Sequence, residues 1–499
     1  VDRVERECLM AMQRASDYAG WREAALELDR HQGADAWKLE DACDDYDWRL
    51  IRSRLRQIRQ YRAEQQHRKL IHHLRQGLHW NLGNLGNTQL YTYTRVGTKK
   101  LVTDYLREVC EALEFIRDLP DSEFAYPEKL NFFQSVALSY GRSALMLSGG
   151  ATLGLFHVGV VKALFRENLL PTVLSGSSAG SVVAATVGTR APHEAEELLD
   201  PEKAYYHFWK VLPPKMMLLR RAVMDQNQLK RAIATNIRDL TFEEAHKLSG
   251  RIVNITVSPA GFNQAPKLLN HLTFPYLYVR EAVLASCAVP VLFPPVMLMT
   301  KSEEGERTPY MPLLRWNDGS LKSDLPMLRL RRLHNVNHFI VSQTNPHVLP
   351  FVSRRDNDGR GLVNASRQAA YSTGRGLASG VLNFARANMP FAGLRQGLDT
   401  AAGLLDQDYR GNINIVPEVS LWRYANVTRN PSQESVVRFM LEGERATWSR
   451  MEMIRNQTVI SQTLENCLIE LESRPNRREG EAAETPAKKA KLRVVSRRD

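Results

Sequence analysis

The chain is 499 residues long, with 43% hydrophobic, 24% charged and 8% aromatic residues. That length leaves room for more than one domain around sizeable cores, and the composition excludes a wholly disordered, collagen-like or mucin-like chain. The formal net charge of +12 admits nucleic acid, an anionic membrane or an acidic partner, and by itself selects none of them.

The opening segment, VDRVERECLMAMQRASDYAG, is charged and lacks the apolar centre of a secretory signal. Residues 1 to about 80 read as helical. In IRSRLRQIRQYRAEQQHRKLIHHLRQGLHW, Ile51, Leu55 and Ile58, then Ile71, Leu74 and Leu78, recur at helical spacing, with Arg crowding the other faces. Such a helix can lie on anionic headgroups or pack on a neighbouring domain with its basic face solvated; packing is the expectation favoured here. The Gly-Asn clusters of NLGNLGNTQLYTYTRVGTKK mark turns, a helix is expected from about Val102 to Leu119, and PDSEFAYPEK breaks it.

From Ser143 the pattern changes. ALMLSGG reads as a buried strand and LFHVGVVKALFREN as a helix; TVLSGSSAG is a second strand and turn, followed by the apolar helix SVVAATVGT. RIVNITVS and HFIVSQTN are later strands. Alternating strands and helices predict an α/β fold whose sheet is doubly wound, mostly parallel and covered by helices on both faces. The apolar run Ala282 to Met299 holds Pro290, Pro294 and Pro295, so it is expected as buried strand and loop rather than a membrane span. INIVPEVS is a candidate last strand, and a helix-rich segment follows from Ser432 to about Ser473. The final residues, 474–499, carry nine Lys or Arg against four Asp or Glu and few apolar residues, the composition of a solvated, disordered tail. The domain boundaries expected are therefore 1–140 (helical), 141–350 (α/β, catalytic), 351–473 (helix-rich extension) and 474–499 (basic tail). Cys8, Cys43, Cys110, Cys287 and Cys467 are scattered and form no CxxC pair, which suggests neither a disulfide framework nor a zinc site and fits a reducing compartment.

Three short segments carry chemistry. Gly176-Ser177-Ser178-Ala179-Gly180 is a G-x-S-x-G between a strand and a helix. A sharp turn there lifts the central hydroxyl above the sheet, and glycines at both ends let strand and helix approach. Ser148-Gly149-Gly150-Ala151-Thr152-Leu153-Gly154 is a second strand-to-helix turn. Its small residues free backbone amides to converge on an anion, and it fits neither the Walker nor the GxGxxG form. Trp316-Asn317-Asp318-Gly319-Ser320 supplies a carboxylate, and a serine nucleophile needs a base.

In this order the three segments resemble the patatin-like phospholipase family. GRIVNITVSP, LASCAVPVLFPPV, DGSLKSDLP, VNHFIVSQTNPHV and GERATW are similar to its triacylglycerol-lipase branch, and YAGWREAALELDR through VGTKKL to the helical domain upstream of the patatin domain there. The likeness spans about residues 10 to 470. It implies a patatin-like fold and a serine lipid acyl hydrolase (lipase or phospholipase) with Ser178 as nucleophile and Asp318 as base. It also implies Gly149, Gly150 and Ala151 as the oxyanion loop, Gly176 and Gly180 as the elbow glycines, and neither metal nor cofactor. An acylglycerol or phospholipid is the expected substrate, with peripheral contact to a membrane or lipid droplet from the cytoplasm and no nucleic acid partner. Departures are Ala151 for a third glycine, Leu153 where many members carry Arg or Lys, and Ser320 after the Asp-Gly pair. The apolar Leu153, followed by Leu155-Phe156, predicts faster turnover of neutral acylglycerols than of phospholipids, which need a cation for their phosphate.

Two rivals remain. An α/β-hydrolase with a Ser-Asp-His triad would draw its imidazole from His334, His338 or His347, residues that read better as packed in or around a strand. His157, after the glycine loop, likewise reads as a packing residue. A non-catalytic lipid-surface scaffold has no need of Ser178 and Asp318, and both are present.

Overall fold

The computed structural model describes residues 2–261, 264–345, 410–418 and 427–473. The tail from 474 and the expected boundary at 350/351 lie outside them. Helices α1 (Arg3–Arg14), α2 (Tyr18–His31), α3 (Ala34–Leu39), α4 (Trp48–Ala63), α5 (His67–Gly77), α6 (Lys100–Asp118) and α7 (Tyr126–Tyr140) come first. Local chemistry sets their ends: Asp47 accepts from Leu50 N at 3.0 Å and starts α4, and Pro127 stands in the first turn of α7. Of the periodic residues, Ile51, Leu55, Ile58, Leu74 and Leu78 are buried with Val102, Val109 and Leu113 of α6 in one core; Ile71 is only partly buried against it, and Leu70 is the buried residue beside it. That burial consumes the apolar face. The opposite face is partly neutralised, with Arg59 Nε 3.0 Å from Glu108 and Arg62 bound to both Glu108 and Glu111. A membrane-inserting role for the Arg49–Arg75 segment is thereby left without an apolar surface to insert.

The second unit is a seven-stranded sheet. It contains β1 (Arg142–Leu147), β2 (Val173–Gly176), β3 (Ile252–Pro259), β4 (Lys267–Leu269), β7 (Trp316–Asp318), β8 (Val336–Ser342) and β9 (Ile413–Ile415), in the order β4-β3-β2-β1-β8-β9, with β7 also on β3; β5 (Met299–Lys301) and β6 (Arg307–Pro309) form a separate hairpin. The central pairings β3-β2, β2-β1, β1-β8 and β8-β9 are parallel, and β4 and β7 are antiparallel to β3. Every residue of β2 and β3 is buried, as expected of strands covered on both faces. Leu145 and Leu147 point into the core with α8 (Leu155–Arg166) and α9 (Ala179–Gly188), while Ala144 and Met146 meet Leu330 of α16 (Met327–His334) on the other side. Between these lie α10 (Pro192–Leu198), α11 (Pro214–Arg220), α12 (Gln226–Asn236), α13 (Phe242–Ser249), α14 (Val279–Ser286) and α15 (Ser320–Ser323).

The run Ala282 to Met299 departs from expectation. Residues up to Ser286 complete α14, and the remainder is loop entering β5 at Met299. Its alanines and single valine suit a short helix on the sheet, and the prolines act only after it has ended.

The last helices, α17 (Gln433–Trp448) and α18 (Met451–Ser473), do not stand apart. Helix α17 crosses α8 at two glycines: a Cβ on Gly159 would lie 1.9 Å from Met440 O, and one on Gly443 2.1 Å from Phe156 O. Helix α18 places Ile460, Leu464, Cys467 and Leu471 in the helical unit's core. The segment read as an extension therefore joins both units. No described helix is long and apolar enough to cross a membrane.

Candidate active site

The carboxyl ends of β1 and β2 lie side by side, because Leu147 pairs with Gly176. Both chains turn into helices there, at the edge where open α/β sheets place their sites. At the end of β2 the backbone is forced round at Ser178, with φ 50° and ψ −121°, a conformation that strains any L-residue. The flanking glycines are required by contact. A Cβ on Gly176 would fall 2.4 Å from the Gly180 carbonyl, and one on Gly180 2.1 Å from Leu147 O. The turn is held from behind by Ser286, whose Oγ accepts from Ser178 N at 2.9 Å and donates to Thr256 O at 2.8 Å.

Strand β3 brings the carboxylate alongside. Gly176 of β2 pairs with Ile255, and Asp318 of β7 pairs with Val257 two residues further on. Val257 pairs with Lys267 of β4 on its other edge, so β7 takes over β2's side of β3 where β2 ends. Asp318 is buried, and Oδ1 accepts from Ser320 N at 2.7 Å. Oδ2 is buried without a hydrogen-bond partner, yet the Ser178 hydroxyl is near enough to lower the carboxyl's pKa. A pair close but not bonded is usual for a nucleophile and base awaiting substrate. Burial is the largest influence on Asp318 and raises its pKa from 3.8 to about 6.

The glycine loop differs in one respect from expectation. Gly149 N donates to Asp324 Oδ1 at 2.8 Å, so this amide is already committed. Gly150 N and Ala151 N make no hydrogen bond among the described residues, and these are the loop's available donors. Ala179 N, at the first turn of α9, is a third amide in the same condition. Ala151 itself has φ 50°, in the left-handed region where a glycine would be unstrained.

Asp324 was not singled out by the sequence. It is buried and gathers three donors: Gly149 N and Ser177 Oγ on Oδ1 and Asn345 Nδ2 on Oδ2 at 3.3 Å, with Ser177 Oγ also 3.3 Å from its carbonyl oxygen. Loop and elbow are thus tied to one carboxylate. Burial raises Asp324 to about 6, opposed by those hydrogen bonds, and its charge adds a smaller upward push on Asp318. In DGSLKSDLP it looks like any surface acid, so only the position six residues beyond Asp318 could have drawn notice.

Histidines support the frame and do not touch the pair. His157 is buried, with Nδ1 2.7 Å from Ser342 Oγ and Nε2 3.0 Å from Ser148 O and from Thr344 Oγ1. It pins the glycine loop from beneath. His334 is bonded to Asn254 at 2.8 Å, and His338 to Ser143 and Gln457. Burial pushes all three to about 4, so they are neutral near pH 7. His347 lies outside the described residues. Among the described residues no imidazole bonds Asp318.

Ser178 opens into a cavity with about 1050 Å³ of empty space, open to solvent on one side. Leu155, Val158, Val183, Phe208, Trp209 and Phe293 are among its walls, and among the described residues that line it none is Lys, Arg, Asp or Glu. Leu153 is not on that wall; it is buried in the core between sheet and helices. Substrate choice therefore cannot be read from Leu153.

A strained serine elbow, a buried carboxyl one strand away and a loop of unpaired amides together define an acyl-transfer type of site on an α/β sheet. Comparison with known proteins gives the family. Residues 145–331 match the patatin-like phospholipase family, and residues 2–138 match a domain of unknown function, DUF3336. Triacylglycerol lipase ptl3 of Schizosaccharomyces pombe is 33% identical over 91% of this chain and 96% of its own. Triacylglycerol lipase SDP1L of Arabidopsis thaliana is 34% identical over 92% of this chain and 58% of its own, and triacylglycerol lipase 4 of Saccharomyces cerevisiae 34% over 89% and 51%. The chain thus spans little more than half of the plant and budding-yeast relatives. It belongs to the patatin-like phospholipase family, in the branch that joins a DUF3336 domain to the patatin domain.

Proposed function

We propose that the protein is a serine lipid acyl hydrolase acting on neutral acylglycerols, with Ser178 as nucleophile and Asp318 as base. The observation that carries this reading is the position of Ser178, on the wall of a cavity whose described lining is uncharged and beside a buried carboxyl. Asp318 takes the hydroxyl proton as Ser178 Oγ bonds to the ester carbonyl carbon. The amides of Gly150 and Ala151, with the α9 N-terminus behind them, stabilise the oxyanion. Asp318 returns the proton to the departing glyceride oxygen as the C–O bond breaks. In the second half Asp318 deprotonates water, which attacks the acyl-enzyme; the fatty acid leaves and Ser178 recovers its proton.

The preference for acylglycerols rests on the lining. A phosphodiester drawn into walls without a cation would lose its hydration uncompensated, whereas a neutral ester carries no such cost. Arg142 and Lys162, the cations that flank the glycine loop in sequence, are spent on Glu465 at 3.0 Å and Glu444 at 2.8 Å. The relatives' names as triacylglycerol lipases agree with this choice. The test is kcat/KM for triacylglycerol against phosphatidylglycerol with matched acyl chains in one detergent. Faster turnover of the acylglycerol is expected, and faster turnover of the phospholipid contradicts it.

A further inference from the structure

Residues 210–221 read KVLPPKMMLLRR: apolar and basic, with no acid. They form a hairpin-like excursion that carries α11 (Pro214–Arg220) at its tip and has a firm base. Val211 bridges Met224, Leu212 N donates to Val223 O at 2.9 Å, and Asp225 N to Lys210 O at 2.8 Å. The returning strand is stitched to the 291–292 loop, with Val223 N to Val291 O at 3.1 Å and Met224 N to Leu292 O at 2.9 Å. Leu212, Ala222 and Met224 are buried inward. The tip does the opposite, with Leu218 85% and Leu219 76% exposed, and at the base Val211 (60%) and neighbouring Val291 (74%) face outward as well. Val291 is a β-branched residue held at φ 73°, a conformation tolerated where surroundings impose it. Exposed leucines and valines gathered on an ordered base mark a contact surface.

Its position identifies the partner. The same segment runs from Phe208 and Trp209, and the loop it is stitched to continues into Leu292 and Phe293; all four line the Ser178 cavity, with the Trp209 and Phe293 rings stacked at 6.0 Å. Around the apolar tip stand Lys210, Lys215, Arg220 and Arg221. Lys210 and Arg220 lie 3.9 and 3.8 Å from Asp225, and Lys215 and Arg221 have no ion pair among the described residues. Apolar groups ringed by cations suit a phospholipid-covered surface, with leucines among acyl chains and cations at headgroup level.

We propose that this hairpin, with Val291, is the surface by which the protein docks on a phospholipid-covered lipid surface, setting the mouth of the Ser178 cavity against its substrate. The inference rests on the lipid hydrolase reading for its purpose but not for its test. Binding is measured by co-sedimentation of the Ser178→Ala protein with vesicles of phosphatidylcholine, alone or mixed with phosphatidylserine. Leu218→Ser with Leu219→Ser should weaken binding to both by about tenfold or more, two leucines being withdrawn from hydrocarbon. Lys215→Glu with Arg221→Glu should weaken binding only where phosphatidylserine is present. Arg56→Glu with Arg68→Glu, on the basic face of α4 and α5, should change neither. In the otherwise wild-type protein, the leucine pair should lose hydrolysis of emulsified long-chain acylglycerol and keep hydrolysis of a soluble short-chain ester. Undiminished vesicle binding by the leucine pair, equal loss on the soluble ester, or loss of binding through Arg56 and Arg68 would overturn the proposal. Ester hydrolysis surviving in Ser178→Ala would instead defeat the functional reading and leave the vesicle result standing.

Discussion

Asp318 and Asp324 are two buried carboxyl groups with different work. In the proposed mechanism Asp318 must be ionised to accept the Ser178 proton, and its pKa is raised by burial to about 6. Activity should therefore climb as pH passes through about 6 and level off above it, as a pH profile of kcat/KM on a soluble ester would show. Asp318→Asn removes the base and should cost on the order of a thousandfold or more in kcat, the scale of losing one member of a catalytic set. The same substitution should stabilise the fold. A carboxyl whose folded pKa lies above its unfolded value favours folding at pH below about 3.8 relative to neutral pH, and that advantage is lost as pH rises through about 6. At pH 8 the buried charge costs about 3 kcal/mol by that shift, so Asp318→Asn should unfold at higher urea than wild type at pH 8 and lose the advantage near pH 4. Asp324 touches no reacting atom in this account; it holds Gly149 and Ser177 in register. Asp324→Asn should lower kcat with little change in KM. It should also move the acid limb of the profile downward, because the neighbouring charge no longer raises Asp318. An unshifted limb would mean that Asp324 acts on packing alone. Ser178 and Asp318 were legible because elbow and turn chemistry leaves a mark in sequence. Asp324 was not, since hydrogen bonds spanning from residue 149 to 345 leave none.

The strand-helix alternation from Ser143 onward was readable because each buried strand is short, apolar and closed by glycine or a polar turn. The run from Ala282 was misread as strand because apolar periodicity over so few residues does not separate a buried helix from a strand. Side-chain volume also hides close approaches. Nothing local in VGVVKAL announces that Gly159 lies against Met440 O, or that Gly443 returns the contact at Phe156 O. Gly159→Ala must push α8 and α17 apart and should cost about 1–3 kcal/mol, the usual penalty for overpacking. Urea unfolding would measure it, and an unchanged midpoint would contradict the crossing.

At the scale of the molecule, the helical and sheet units share their last two helices. Helix α17 covers α8 on the sheet, and α18 fills the core of the helical unit. Sequence order suggested a separate extension, and the tertiary arrangement could not be seen because each helix finds its partners hundreds of residues away. The architecture leaves a cavity lined by Ser178 whose described walls are uncharged, with an apolar, basic-rimmed hairpin beside it. Ser178 is proposed as the nucleophile in that cavity. Reaction of the purified protein with a fluorophosphonate probe tests it most directly, beside the Ser178→Ala form, whose small side chain leaves the elbow intact. The account predicts labelling of the wild type, loss of labelling in Ser178→Ala, and parallel loss of acylglycerol hydrolysis. Equal labelling and equal hydrolysis by both proteins would contradict it.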